Sequence, residues 1–202
     1  MGDTTGAVTA TVTATGAVSA LNAALSNAGS NNDALTLVLD ATTASAVDLN
    51  TLDGKTSVAI NAGTITTITS SSAAAVNTMV TNIAAIGLDS NWDVTLSDTT
   101  LTAAEVKTIN AETSGTIDMS AATTITSSSV ADVLEIVNNT GATFTTATNY
   151  AVTLSDTASA ANANTIMGDT TGAVTATVTA TGAVAALNAA LSNAGSNNDA
   201  LT

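Results

Sequence analysis

The chain of 202 residues carries two basic and sixteen acidic side chains, a net charge of −14, and no cysteine, histidine or proline. A disulfide framework, a thiolate or imidazole metal site and a Cys–His or Ser–His catalytic pair are excluded because the parts are missing. Two lysines can neither neutralise a phosphate track nor pair with an anionic lipid surface, which excludes both partners.

Charged residues make up 9% of the chain and hydrophobic ones 45%. Disordered acidic chains combine low hydrophobicity with high charge density, so this chain is expected to fold. Its apolar side chains are mostly Ala, Val, Ile and Leu, which suit thin layers brought close together. No run of 18 apolar residues exists, so no membrane span is expected, and no signal peptide is visible at the start.

Residues 1–36 and 167–202 are identical except for Ser19 against Ala185. This near-identity predicts a window on a longer tandem array with a period of 166 residues. Met1 aligns with the internal Met167, so targeting signals are expected outside the window. A weaker repeat lies inside the period. TLVLDATTASAVDLNTLDGKTSVAI from Thr36, VTLSDTTLTAAEVKTINAETSGTI from Val94 and VTLSDTASAANANTIMGDTTGAV from Val152 align. The triplets at Thr56, Thr113 and Thr170 correspond, and Trp92 and Tyr150 each stand two residues before a strand. The sub-repeats run approximately 1–35 (partial), 36–93, 94–151 and 152–201, in one continuous array.

In chain order, TATVTAT at Thr9–Thr15 is the most strand-like run. Val18, Leu21 and Leu25 then show helical spacing, and Gly29 falls where a helix end needs left-handed backbone. Val76, Met79, Val80 and Ile83 form a second helical stripe, closed by Gly87. VTLSD at Val94 alternates as a half-buried strand, with Val94 and Leu96 on one face. TAAEVKTINAE follows as a helix, and Thr102 with Glu105 has capping-box spacing. TIDMS and TTIT form the next strand region. SSSVADVLEIVNNTG is the next helix: Ser129 and Asp132 have cap spacing, the apolar stripe is Val130, Val133, Leu134 and Val137, and Gly141 ends it.

Six strand-helix units in 166 residues average about 28 residues each, within the range of α/β solenoid coils. The expected fold is therefore a parallel α/β solenoid of strand-helix coils in tandem repeats, with an all-β solenoid as the alternative.

Asp40, Asp98 and Asp156 recur where a strand ends and a helix follows. One reading is an Asx turn or N-cap. The other is a calcium ladder, in which stacked carboxylates supply hard oxygen ligands. Thr9, Thr11, Thr13 and Thr15 point to one face of a strand. They read either as a solvated face with cross-strand hydroxyl pairing or as a flat array that binds polysaccharide or ice. Trp92 and Tyr150 either stack on sugar rings or cover the end of an apolar layer. Lys55 and Lys107 share no position, which argues against a Ser–Lys pair. The acids are distributed through the repeat, so no enzyme is expected. A polysaccharide lyase would need a base and a cluster of cations that two lysines do not supply.

By the stretch Leu96–Thr126, LSDTTLTAAEVKTINAETSGTIDMSAATTIT, the sequence resembles tandem repeats of very large bacterial surface proteins. These include giant cell-surface proteins of marine cyanobacteria, type I-secreted adhesins and some S-layer proteins. The resemblance implies an extracellular structural or adhesive role, with neighbouring copies of the same repeat as partners, and brings no catalytic residues.

Overall fold

The computed structural model describes residues 6–13, 15–29, 33–179, 181–195 and 197–202. The elements begin with β1 (Thr9–Thr13), α1 (Val18–Ala24), β2 (Ala34–Val38), β3 (Thr43–Ser45), α2 (Ala46–Asp53) and β4 (Thr67–Ser71). Next come α3 (Ala73–Thr81), α4 (Ile83–Ile86), β5 (Asp93–Leu96), β6 (Thr100–Leu101), α5 (Ala103–Asn110), β7 (Thr116–Met119) and β8 (Thr124–Ser128). The last are α6 (Val130–Val137), β9 (Thr143–Thr146), β10 (Ala151–Ser159), α7 (Ala160–Asp169), β11 (Val174–Thr179), α8 (Val184–Ala190) and β12 (Ala200–Leu201). The fold is thus mixed α/β with parallel sheets and eight helices among the described residues, which excludes the all-β alternative.

The chain divides into two compact units, Met1–Thr95 with Glu112–Thr116, and Leu96–Ala111 with Ile117–Thr202. In the first unit β1 pairs in parallel with β2, Thr9 opposite Ala34 and Thr13 opposite Val38. β3 pairs in parallel with β4, Thr43 opposite Thr67. Helix α1 packs on α2, and α2 on α3. In the second unit one sheet runs in the order β12-β11-β10-β8-β6, with parallel pairings throughout. There α5 packs on α6, α6 on α7 and α7 on α8.

The strands alternate as their sequences demand. Leu35 and Leu37 of β2, Val94 and Leu96 of β5, and Val152 and Leu154 of β10 face inward. Small residues let the layers approach: Ala46, Ala62, Ala103 and Ala163 are fully buried. The helices other than α4 have only seven to ten residues. Helices this short are marginal alone in water and depend on caps and packing.

The N-termini of α2, α5 and α6 are satisfied from two directions. Ser45, Ser72, Thr102, Ser129 and Ser159 cap their own helices, each accepting the N–H three residues on. The predicted capping box of Thr102 and Glu105 is complete. A side chain about 25 residues further along then accepts the first helical N–H. Ala46 donates to Ser71 Oγ at 3.0 Å, Ala103 to Ser128 Oγ at 2.8 Å, and Val130 to Asp156 Oδ1 at 2.8 Å. Both serines are buried.

Side-chain ties also link successive helices, from the fifth residue of one to the third of the next. Asn22 Nδ2 donates to the Asp48 carbonyl and Asn50 Nδ2 to the Ala75 carbonyl, both at 2.9 Å. Lys107 takes the same position in the second unit, with Nζ 2.6 Å from Asp132 Oδ1. Lys55 Nζ donates to the Leu25 carbonyl at the end of α1, at 3.0 Å, where a cation meets the helix dipole favourably.

Several expectations need correction. The stripe Val76–Met79–Val80–Ile83 does not lie on one helix. Asn82 leaves helical geometry at φ −105°, ψ 15°, so Ile83 opens α4. On α6 the buried residues are Val130, Val133 and Ile136, while Leu134 and Val137 are half-buried. Leu134 is the fifth residue of its helix, the position that carries the Asn and Lys ties, and so lies at the edge of the buried face. TIDMS and TTIT form two strands in different sheets, β7 and β8. Gly29, Gly87 and Gly141 do adopt positive φ, at 89°, 68° and 94°.

Replacing Ser128 by Ala strands the Ala103 N–H in a buried setting, so we expect a loss of about 1–3 kcal/mol. Chemical denaturation reads it. The exposed Ser127→Ala serves as control.

Candidate functional site

Thr9, Thr11 and Thr13 lie exposed on one face of β1, while Ala10 and Val12 between them turn partly inward. Thr15 is exposed beyond the end of the strand. Across the pairing, Thr11 faces Thr36 of β2 and Thr13 faces the exposed Val38. The second copy of the tract repeats the face in the second unit. Thr175, Thr177 and Thr179 of β11 are exposed and pair with Thr153, Thr157 and Ser159 of β10. Thr177 Oγ1 lies 3.3 Å from Thr202 Oγ1. Parallel strands about 4.8 Å apart therefore carry rows of hydroxyls that both donate and accept. A register shift between Thr153 and Thr157 interrupts the rows.

Of the three recurring aspartates, Asp40 and Asp98 follow a strand as expected, and Asp156 does not. Asp40 follows β2, and its carboxylate accepts the Gly16 N–H at 2.9 Å, one residue before the N-cap of α1. Asp98 sits half-buried between β5 and β6. Asp156 does not end a strand; it lies within β10, where the register with β11 shifts, and it accepts the first N–H of α6. Asp40 and Asp156 thus serve a helix about 25 residues earlier in the chain, whereas an N-cap serves its own. Among the described residues, no group of three or more acidic side chains comes together in a way that could hold a metal ion.

The equivalent triplets at Thr56, Thr113 and Thr170 each fasten a neighbouring segment. Thr56 Oγ1 donates to the Leu35 carbonyl at 2.8 Å, Thr113 Oγ1 to that of Trp92 at 2.5 Å, and Thr170 Oγ1 to that of Tyr150 at 2.5 Å. Each hydroxyl also accepts the N–H two residues on. The next residue clamps a second carbonyl with both N–H and hydroxyl: Ser57 on Asp33, Ser114 on Ser90 and Thr171 on Thr148. Glycine follows in two of the three triplets because a Cβ at Gly115 or Gly172 would collide with the carbonyl of Trp92 or Tyr150.

Leu35, Trp92 and Tyr150 are thereby equivalent and fully buried. A ring with no exposed face cannot stack on a sugar, so Trp92 and Tyr150 belong to the apolar layer. Tyr150 keeps its polar end satisfied, with its hydroxyl donating to Asp169 Oδ2 at 2.5 Å. Burial, and then the Asp169 carboxylate, push the phenol above its usual range. The Asp132 carboxyl is held below the ordinary value by its hydrogen bonds from Lys107 and Ser129. Both lysines are engaged in ties between segments, as described above.

No family model, characterised protein or solved structure matches this chain.

The raised Tyr150 phenol makes a signed prediction. Its neutral form is favoured by folding, so the stability it contributes is complete below about pH 10 and is lost as pH rises further. Tyr150→Phe should lower the melting temperature between pH 6 and 9, where the bond to Asp169 is lost, and flatten its alkaline limb. An unaltered alkaline limb would contradict it.

Proposed function

We propose that this chain is a segment of an extracellular structural surface protein, in which tandem 166-residue periods stack as a parallel α/β solenoid and build a rod, filament or layer. The observation that carries this reading is the recurrence of the same bonds at the same offset. Val8 N–H meets Asp33 Oδ1 and Val174 N–H meets Asp199 Oδ1, both at 2.8 Å. Gly29 and Gly195 N–H meet the second oxygens of those carboxylates, both at 3.1 Å. Helices other than α4 begin at Val18, Ala46, Ala73, Ala103, Val130, Ala160 and Val184, 24–30 residues apart. Within each unit the ties run to the adjoining segment, the arrangement in which a solenoid draws its stability from nearest neighbours.

The mechanism is mechanical. Each coil closes its faces against the coils beside it, so load passes along a ladder of backbone and hydroxyl bonds. No residue is assigned a catalytic role. The partners are neighbouring copies of the same repeat. Electron microscopy of several joined periods should show rods that lengthen by about 30 Å per period, from six strands about 4.8 Å apart. Separate compact particles would overturn the reading.

A second reading, an adhesin or fibre module, is favoured by the exposed Thr rows of β10 and β11. Its ligand would be a polyhydroxylated surface, polysaccharide or ice. Replacing Thr9, Thr11, Thr13, Thr175, Thr177 and Thr179 together by Val should abolish retention on glycan arrays or ice. Retention that survives removes the Thr faces as the ligand site. If Asp40, Asp98 and Asp156 hold calcium, millimolar calcium raises the melting temperature and a chelator lowers it. An unchanged temperature removes calcium from the reading.

A further inference from the structure

We propose that Asn138 is an acceptor site for an N-linked glycan, its side-chain amide joined to the anomeric carbon of a sugar. The proposal rests on the extracellular reading above and adds a covalent carbohydrate partner to it.

Asn138-Asn139-Thr140 is the one triplet of the chain in which a threonine or serine stands two places after an asparagine. That spacing is the acceptor pattern of N-glycosylation. The amide nitrogen is the nucleophile, and the hydroxyl two places on docks the acceptor in the transferase. Other asparagines come close and fail. Asn50, Asn77 and Asn164 are followed directly by threonine, one place too soon. All three lie within helices, and the adjacent hydroxyl is spent on the carbonyl four residues earlier: Thr51 on Val47, Thr78 on Ala74 and Thr165 on Ala161.

The structure presents the triplet at Asn138 for reaction. Helix α6 packs against both α5 and α7, so the exposure of its C-terminal turn is that of a segment with its neighbours in place. Asn138, Asn139 and Thr140 are all exposed there. Asn138 closes the helix at φ −89°, ψ 3°, and Asn139 takes the left-handed conformation at φ 50°. The Thr140 N–H then reaches back to the Glu135 carbonyl at 2.9 Å, which completes the turn. Asn139 does not compete as an acceptor. Gly141 stands two places after it, and its Oδ1 accepts the Phe144 N–H at 2.8 Å. From α5, Asn110 Nδ2 donates to the Thr140 carbonyl at 2.9 Å, and Asn110 Oδ1 accepts the Ala142 N–H at 2.6 Å. These bonds hold the turn through its backbone and through the side chains of Asn110 and Asn139. The Asn138 amide and the Thr140 hydroxyl, the two groups the reaction needs, make no hydrogen bond among the described residues.

The transfer asks nothing of this chain beyond that amide. Asn138 Nδ2 forms a bond to the anomeric carbon of a sugar carried as a glycosyl phosphate on a lipid. The bond from that carbon to the phosphate oxygen breaks, and the phosphate leaves with the electron pair. The amide proton passes to a carboxylate of the transferase, and nothing is oxidised or reduced. The acceptor must first be drawn from its turn into an extended path. The last turn of an eight-residue helix opens locally at small cost, because so short a helix is marginal alone.

The test is peptide mapping by mass spectrometry of the full chain recovered from its natural source, with fragmentation that keeps sugars attached. Cleavage after Glu135 and Asp156 releases the peptide that carries the triplet. The expected result is a glycan mass on Asn138. Asn138→Gln and Thr140→Ala, expressed in the same source, should each lose the glycan completely, whereas Thr140→Ser should keep it. Neither of the first two removes a side-chain bond, so both should melt with the bare wild-type chain made in a host without N-glycosylation. An unmodified Asn138 in the native chain overturns the proposal. So does a sugar carried on serine or threonine in its place, or a glycan that survives Thr140→Ala. The two readings fail separately. Rods that lengthen with each joined period while Asn138 stays bare would remove the glycan and leave the stacked-repeat reading standing. A glycan on Asn138 of a chain that forms no rods would do the reverse.

Discussion

The first N–H groups of very short helices are the constraint on which the rest of this structure depends. Helices of seven to ten residues expose orphan donors over a large fraction of their length. Here the N-cap hydroxyl of the same helix satisfies the third donor, and Ser71, Ser128 or Asp156, about 25 residues away, satisfies the first. The second bond makes the helix conditional on its neighbour. In α2, α5 and α6 local propensity starts the helix and the adjoining segment completes it.

That dependence accounts for the composition. A fifth of the chain is threonine, with 42 residues, and two groups of them do different jobs. Those at Thr56, Thr113 and Thr170 reach back over some 20 residues to a carbonyl and hold neighbouring segments together. Those of β1 and β11 face outward, and Thr177 meets the hydroxyl of Thr202. Charge has a small part because hydroxyls and amides make most of the ties. The two lysines are placed where a longer reach is needed, one to a helix end and one to Asp132. Apolar layers closed by alanine leave little room, and the three aromatic side chains are all in the buried set.

The α/β class, the parallel strands and the helix caps were legible in the sequence because each depends on local signals. Alternation marked Val94 and Leu96, cap spacing marked Thr102 and Glu105, and glycines marked the left-handed helix ends. What failed depended on contacts from a distance. The break at Asn82 leaves the apolar spacing intact, so periodicity could not register it. Asp156 sits in a register shift that exists only when β10 pairs with β11. The exposed Thr rows were readable as a face, while the inward threonines were recognisable only as aligned triplets. A hydroxyl bonded to a carbonyl 21 residues earlier leaves no mark in its own neighbourhood, and its meaning comes from the repeat.

Val18 and Val184 stand in nearly identical sequence, and one is buried while the other is largely exposed. Local sequence therefore specifies which groups will seek cover, and the adjoining segment decides whether they find it. In a polypeptide built this way the bonding pattern of one segment returns in others, as at Thr56, Thr113 and Thr170. Its specificity lies in the match between one side of a segment and the opposite side of another.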